Sequence, residues 1–146
     1  MNALNAAGAK ATFFVTGTLY NCIYSQAAVL NATFAAGHQI ASHTWDHKGL
    51  NTLSASEITT QMTKLETALA NIIGVKPTYM RPPNGATGGQ TVSVMKSMGY
   101  RLVTWDVDSG DNELLNVKRG VKPLSMLKHG VVIGLIVIFH LCGVNS

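Results

Sequence analysis

The sequence predicts an α/β fold built on a parallel sheet, either open or closed into a (β/α) barrel. Three observations carry that expectation. Strand-like and helix-like segments alternate in the order strand, helix, strand, helix, strand, helix, strand, the signature of repeated crossover units. The connections are short, and neither internal repeats nor low-complexity linkers interrupt the 146 residues. The polar, chemistry-bearing residues also gather where strands give way to loops: Thr16-Gly17, His43 with His47, Arg81 to Gly85, and Asp106, Asp108 and Asp111. In barrels and open parallel sheets alike, that edge holds the site.

Each element has a local reason. The first residues, through Ala7, read as a small-residue helix stopped by Gly8. Ala11 to Val15 is an apolar, β-prone run and predicts a buried strand. Ser25 to Ala36 is helical, with Val29, Leu30, Thr33 and Phe34 on one side and Gly37 as its terminator. His38 to Ser42 is a short strand that delivers the histidine pair. Ser54-Ala55-Ser56-Glu57 is a capping box, in which serine and glutamate satisfy orphan amides at a helix start. Ile58, Met62, Leu65, Leu69 and Ile72 then recur every three or four residues as one apolar stripe, and Gly74 and Pro77 end the helix. Thr78 to Met80 is a brief strand, Thr91 to about Met98 a helix stopped by Gly99, and Arg101 to Val107 a last strand.

The composition is globular: 47% apolar and 12% charged, long enough for one domain with its own core. The net charge of +4 is unevenly placed. Through Asn116 there are seven Lys/Arg and seven Asp/Glu, and the excess is Lys118, Arg119, Lys122 and Lys128. No motif-bearing basic face exists, which argues against a nucleic-acid partner. Val131 to Val144 is 14 residues long and broken by Gly134 and His140, short of the ~20 a membrane helix needs. No signal peptide is visible at Met1. Cys22 and Cys142 could bridge in an oxidising compartment or stand as two thiols. Asn31-Ala32-Thr33 matches a glycosylation sequon within the expected helix.

His43-Thr44-Trp45-Asp46-His47 places two imidazoles four apart, which on one helical turn puts both on the same face. They are candidate ligands for a divalent metal, zinc or cobalt, with a position left for water. Taken alone the spacing is a weak signal, and its weight comes from the neighbouring clusters. Pro82 and Pro83 stiffen the loop after Arg81 and fix the amides of Asn84 and Gly85, which could face an oxyanion; an ordinary surface turn is the alternative. Arg81 is a fixed cation suited to orienting a carboxylate. Asp108-Ser109-Gly110-Asp111 either holds a histidine in place or is a solvated turn.

Gly37-His38-Gln39-Ile40-Ala41-Ser42-His43-Thr44-Trp45-Asp46-His47 resembles the second motif of the polysaccharide deacetylases, carbohydrate esterase family 4. Arg81-Pro82-Pro83-Asn84-Gly85 resembles the third, Asp108-Ser109-Gly110-Asp111 most of the fourth, and Ala6 to Val15 the segment that follows the first. The wording is most similar to fungal chitin deacetylases. The resemblance implies a distorted (β/α) barrel, here incomplete with its first strand missing. It implies metal-dependent hydrolysis of N-acetyl groups on chitin or a related N-acetylglucosamine polymer, in a secreted or cell-wall setting. By the same resemblance His43 and His47 are metal ligands and Asn84 lends a backbone amide to the oxyanion. Arg81 and Asp111 tune the catalytic base and acid, and His140, after the apolar Val137-Ile138-Phe139, is the candidate acid.

The chain departs from the pattern in three places. The Thr-Phe-Asp-Asp-Gly motif, which supplies the base and a carboxylate ligand, precedes the Ala6 region in the family, and Met1 begins after it. Asn112 stands where the family usually has an aromatic. From Asn116 onward the chain does not otherwise resemble the family. The expected organisation is therefore a partial deacetylase domain over 1–116 and an atypical basic and apolar tail over 117–146. The expected activity is metal-dependent deacetylation, and its alternative is a catalytically dead fragment or carbohydrate-binding relic.

Overall fold

The computed structural model describes residues 2–19, 21–106 and 135–138. A short helix α1 (Asn2–Ala6) leads into β1 (Ala11–Val15), followed by α2 (Ala27–Ala35), β2 (Gln39–Ser42), α3 (Ala55–Ile73), β3 (Tyr79–Met80), α4 (Thr91–Ser97), β4 (Arg101–Leu102) and β5 (Leu135–Ile138). The strands form one sheet in the order β4-β3-β2-β1-β5, and every neighbouring pair is parallel. Among the described residues β4 and β5 are its two edges, so the barrel is incomplete as the sequence predicts. The tail, set apart by its composition, supplies β5, which pairs with β1 from Ala11↔Leu135 to Phe14↔Ile138.

α3 organises the packing. Ser54 and Glu57 form the expected capping box, and Gly74 closes the helix at φ 73°, a left-handed conformation that only glycine adopts cheaply. The apolar stripe is buried as far as Leu69 and partly buried at Ile72, but it serves two separate clusters. Leu65, Ala68 and Leu69 pack with Phe13, Val15, Leu30 and Ile40 over β1 and β2. Ile58 and Met62 pack with Met80, Val94, Met95 and Tyr100 beneath β3 and β4. Glu66 closes the second cluster: it accepts from Tyr100 Oη at 2.9 Å and pairs with Lys76 at 3.1 Å. Burial, reinforced by that carboxylate, pushes the Tyr100 hydroxyl well above its ordinary range.

Three expectations on elements need correction. The segment before α2 is a 3-10 turn over Ile23–Gln26, so the α-helix starts later than Ser25. Of the four residues expected on its packed side, Leu30 and Thr33 are buried, while Val29 and Phe34 stay 46% and 39% exposed. The adjacent pairs 29/30 and 33/34 diverge by about 100° on a helix, so one member of each leaves the core. Of the strand expected over Arg101 to Val107, the described residues pair only at Arg101 and Leu102, with Val103 adding one amide bond to Met80 O at 2.9 Å. No described helix is long and apolar enough to cross a membrane.

Candidate active site

The sheet builds the site by stepping across its own edge. His43 N donates to Val15 O at 2.8 Å, Arg81 N to Ser42 O at 2.9 Å, and Val103 N to Met80 O at 2.9 Å. Each bond ties the residue just past one strand to the end of its neighbour. The loops after β1, β2, β3 and β4 therefore open on one edge, as expected for a parallel sheet.

His43 is 2% exposed, and its Nδ1 lies 2.7 Å from Arg81 O. A carbonyl only accepts, so the bond puts the proton on Nδ1 and leaves the lone pair on Nε2. His47 is half-buried, and the two ring centroids are 4.8 Å apart with planes at 73°. The sequence expectation of one helical turn is wrong in its geometry. Residues 43–49 are not helical, and Thr44 and His47 have φ of 71° and 63°. The two rings meet because the chain folds back on itself, not because of helical periodicity.

Several groups hold that turn. Gly17 N and Thr18 N both donate to Trp45 O, at 2.7 and 2.9 Å. Thr44 Oγ1 accepts from His47 N at 3.1 Å. The Trp45 ring lies so close over Gly17 that a Cβ there would collide with Cε3 of the indole. From α3, Gln61 Oε1 accepts both Trp45 N at 3.2 Å and Asp46 N at 3.1 Å. Gln61 was not legible as a site residue in the sequence. Its one signal is its place three residues after Ile58 and four before Leu65, a polar side chain on the apolar stripe of α3. Burial disfavours the charged Asp46 carboxyl, but hydrogen bonds from Lys48 and Gln61 and the Lys48 charge outweigh it and hold it below the usual range.

On the next loop, Arg81 places its guanidinium 4.2 Å from the centroid of the Trp105 ring, a cation–π stack. Asn84 sits in a 3-10 turn over Pro83–Gly85 with φ 56°. Gly85 N donates to Pro82 O at 3.1 Å, so of the two amides expected to face an oxyanion, Gly85's is spent inside the turn. Asp108, Asp111, Asn112 and His140 lie outside the described residues.

A divalent ion suits part of this arrangement. Second-sphere partners commonly fix a ligand histidine through its remote N–H, as Arg81 O does for His43. The pair accounts for two donors. Among the described residues no group of three or more His, Cys, Asp or Glu could hold a metal.

Comparison with known proteins places the chain in a family. The chain is 45% identical over 113 residues to a chitin deacetylase of Pestalotiopsis sp., covering 77% of this chain and 38% of that protein. It is 40% identical over 114 residues to a probable peptidoglycan-N-acetylglucosamine deacetylase of Arthroderma benhamiae, covering 77% and 26%. It superposes on the chitin deacetylase structure from Colletotrichum lindemuthianum with a TM-score of 0.74 at 33% identity, over 77% of this chain and 50% of that one. The chain thus spans less than two thirds of the length of these relatives. Residues 1–103 match the family model for polysaccharide deacetylase, and the chain belongs to that family.

Proposed function

We propose that this chain carries the histidine side of a centre that hydrolyses N-acetyl groups from N-acetylglucosamine polymers such as chitin, in an extracellular or cell-wall setting. Membership of the family supports this reading, as do the named activities of its relatives, chitin and peptidoglycan-N-acetylglucosamine deacetylation. The observation that carries it is His43, whose proton is held on Nδ1 by Arg81 O while its ring meets that of His47.

In this reading His43 and His47 hold a divalent cation, zinc or cobalt, which when bound supplies Lewis-acid polarisation and acidifies water. This chain's own residues fill further roles, while the base belongs to the Thr-Phe-Asp-Asp-Gly motif, which the 146 residues do not include. Arg81 O keeps the His43 lone pair on Nε2. The Asn84 amide donates to the oxygen of the acetyl group as charge builds there. Arg81 and Asp111 set the proton affinities of the base and the acid. His140 protonates the amine nitrogen after a water oxygen has bonded to the acetyl carbon, so that the C–N bond breaks and acetate and a free amine leave.

One observation favours a second reading, a carbohydrate-binding relic without turnover: no described carboxylate joins the two histidines. One experiment separates the two. Purified chain is incubated with chitin oligomers and zinc or cobalt, and released acetate is measured. Deacetylation that falls by more than about 100-fold in His43→Ala supports the first reading, since even outer-sphere changes cost about 10–100-fold. Acetate release unchanged by that substitution overturns it. Oligomer binding with no acetate from the parent chain selects the relic.

A further inference from the structure

The turn that brings His47 to His43 is not a conformation its own residues prefer. Thr44 and His47 both sit at positive φ, 71° and 63°, a region that costs non-glycine residues energy and persists only when surroundings impose it. The peptide groups of Trp45 and Asp46 are part-buried where the turn meets α3. Trp45 N and Asp46 N are consecutive donors pointing the same way, and both end on one atom, Gln61 Oε1. Gln61 itself is buried, on α3 between the buried Ile58 and Leu65.

We propose that Gln61 is a positioning residue of the histidine pair: its carboxamide oxygen clamps the 45–46 peptides from α3, and this clamp sets where the His47 ring stands relative to His43. The inference deepens the reading given under Proposed function and rests on it for its relevance to metal uptake, but not for the clamp itself. Gln61 acts on the pair through the backbone amides of Trp45 and Asp46. A methionine fills the same volume with no acceptor, whereas a glutamate retains an oxygen for both amides. The Asp46 carboxylate beside it would repel that glutamate, so the informative variant is the double one, Gln61→Glu with Asp46→Asn, in which an amide and a carboxylate exchange places.

Two readouts on the full chain test this. Amide hydrogen exchange is measured at Trp45 and Asp46, with Leu65 and Leu69 as the global reference. Zinc and cobalt affinity is measured by calorimetry on the same proteins. In Gln61→Met, exchange at 45 and 46 accelerates at least about fivefold, the loss of one modest hydrogen bond per amide, while 65 and 69 move little. Metal affinity falls about 10–100-fold, the usual effect of losing a second-sphere support. The double variant returns both quantities to within about twofold of the parent. Unchanged exchange at 45 and 46 in Gln61→Met, or a double variant that behaves like Gln61→Met, overturns the proposal. A parent chain that takes up no metal, combined with the predicted exchange pattern, leaves the clamp standing and counts against the reading of the site.

Discussion

His38 and His43 flank the four residues of β2, both are buried, and they carry their protons on opposite nitrogens. At the lower end Ala11 N donates to His38 Nδ1 at 3.1 Å, so the proton of that ring is on Nε2, set edge-to-face against Phe13 with centroids 5.4 Å apart. At the upper end His43 Nδ1 donates to Arg81 O at 2.7 Å, and the lone pair is left on Nε2. The residue type is the same, as is the burial. What differs is the group offered by the neighbouring strand, an N–H from β1 at one end and a C=O past β3 at the other. A histidine whose Nδ1 accepts is a structural plug. A histidine whose Nδ1 donates presents a basic nitrogen at the rim of the sheet. The comparison teaches that the backbone partner, rather than depth, separates a candidate ligand from a core residue.

The comparison can be broken most severely at its lower end. His38→Ala leaves Ala11 N buried without its acceptor, a loss of about 1–3 kcal/mol before any cavity is counted. His38→Asn keeps an oxygen near the Nδ1 position and recovers most of that loss. Urea unfolding of the three proteins checks the ranking, and an alanine variant as stable as the parent would mean that the bond does not matter. His43→Asn at the upper end is expected to behave oppositely, leaving stability near that of the parent while removing the nitrogen that the proposed metal needs.

A gentler break is acid. Burial, and then the Lys10 charge, lower the His38 pKa from its ordinary 6.5. The folded chain thus resists a proton that the unfolded chain accepts. Below the unfolded value the unfolded state binds more protons, so stability rises with pH. The contribution is complete above about pH 6.5 and declines as pH falls from there toward the lowered folded value. Unfolding midpoints of the parent compared with His38→Asn at pH 7.5 and 5.5 isolate this: the gap between the proteins should move in favour of the asparagine variant on acidification. The smallest expected effect sharpens the upper end. Pro83→Ala loosens the loop that positions Arg81 O and costs about 0.4–1 kcal/mol, mostly through a more mobile unfolded chain. Denaturant titration measures it, and a loss several times larger would show that the proline packs more than it stiffens.

Much of the fold was legible in the chain itself. β1 lies where an unbroken apolar run placed it, and α3 begins and ends on the box and glycine that its sequence announces. Those signals are local: a few adjacent residues specify the capping geometry or the periodicity. The exposure of Val29 and Phe34 is not legible because a small-residue helix has no sharp apolar face to read. The strand after Arg101 was overextended because apolar, β-prone residues run on past the point where β3 has backbone left to pair. At the site, the histidine spacing was visible but its geometry was not, since the turn that joins the rings is imposed from outside the segment. Gln61, 14 residues beyond His47, carries no motif that links the two.

The sequence by itself determined the alternation of strand and helix, the residues that reach the strand ends, and the resemblance that named the family. These follow from periodicity, capping and motif wording, which need only near neighbours along the chain. The tertiary structure decided which nitrogen of each histidine holds its proton and how His47 turns toward His43. It also decided which of the two amides after Arg81 is spent in its own turn. Each of those depends on a hydrogen-bond partner brought near by folding, and a backbone donor or acceptor looks the same in every residue until the sheet has been assembled.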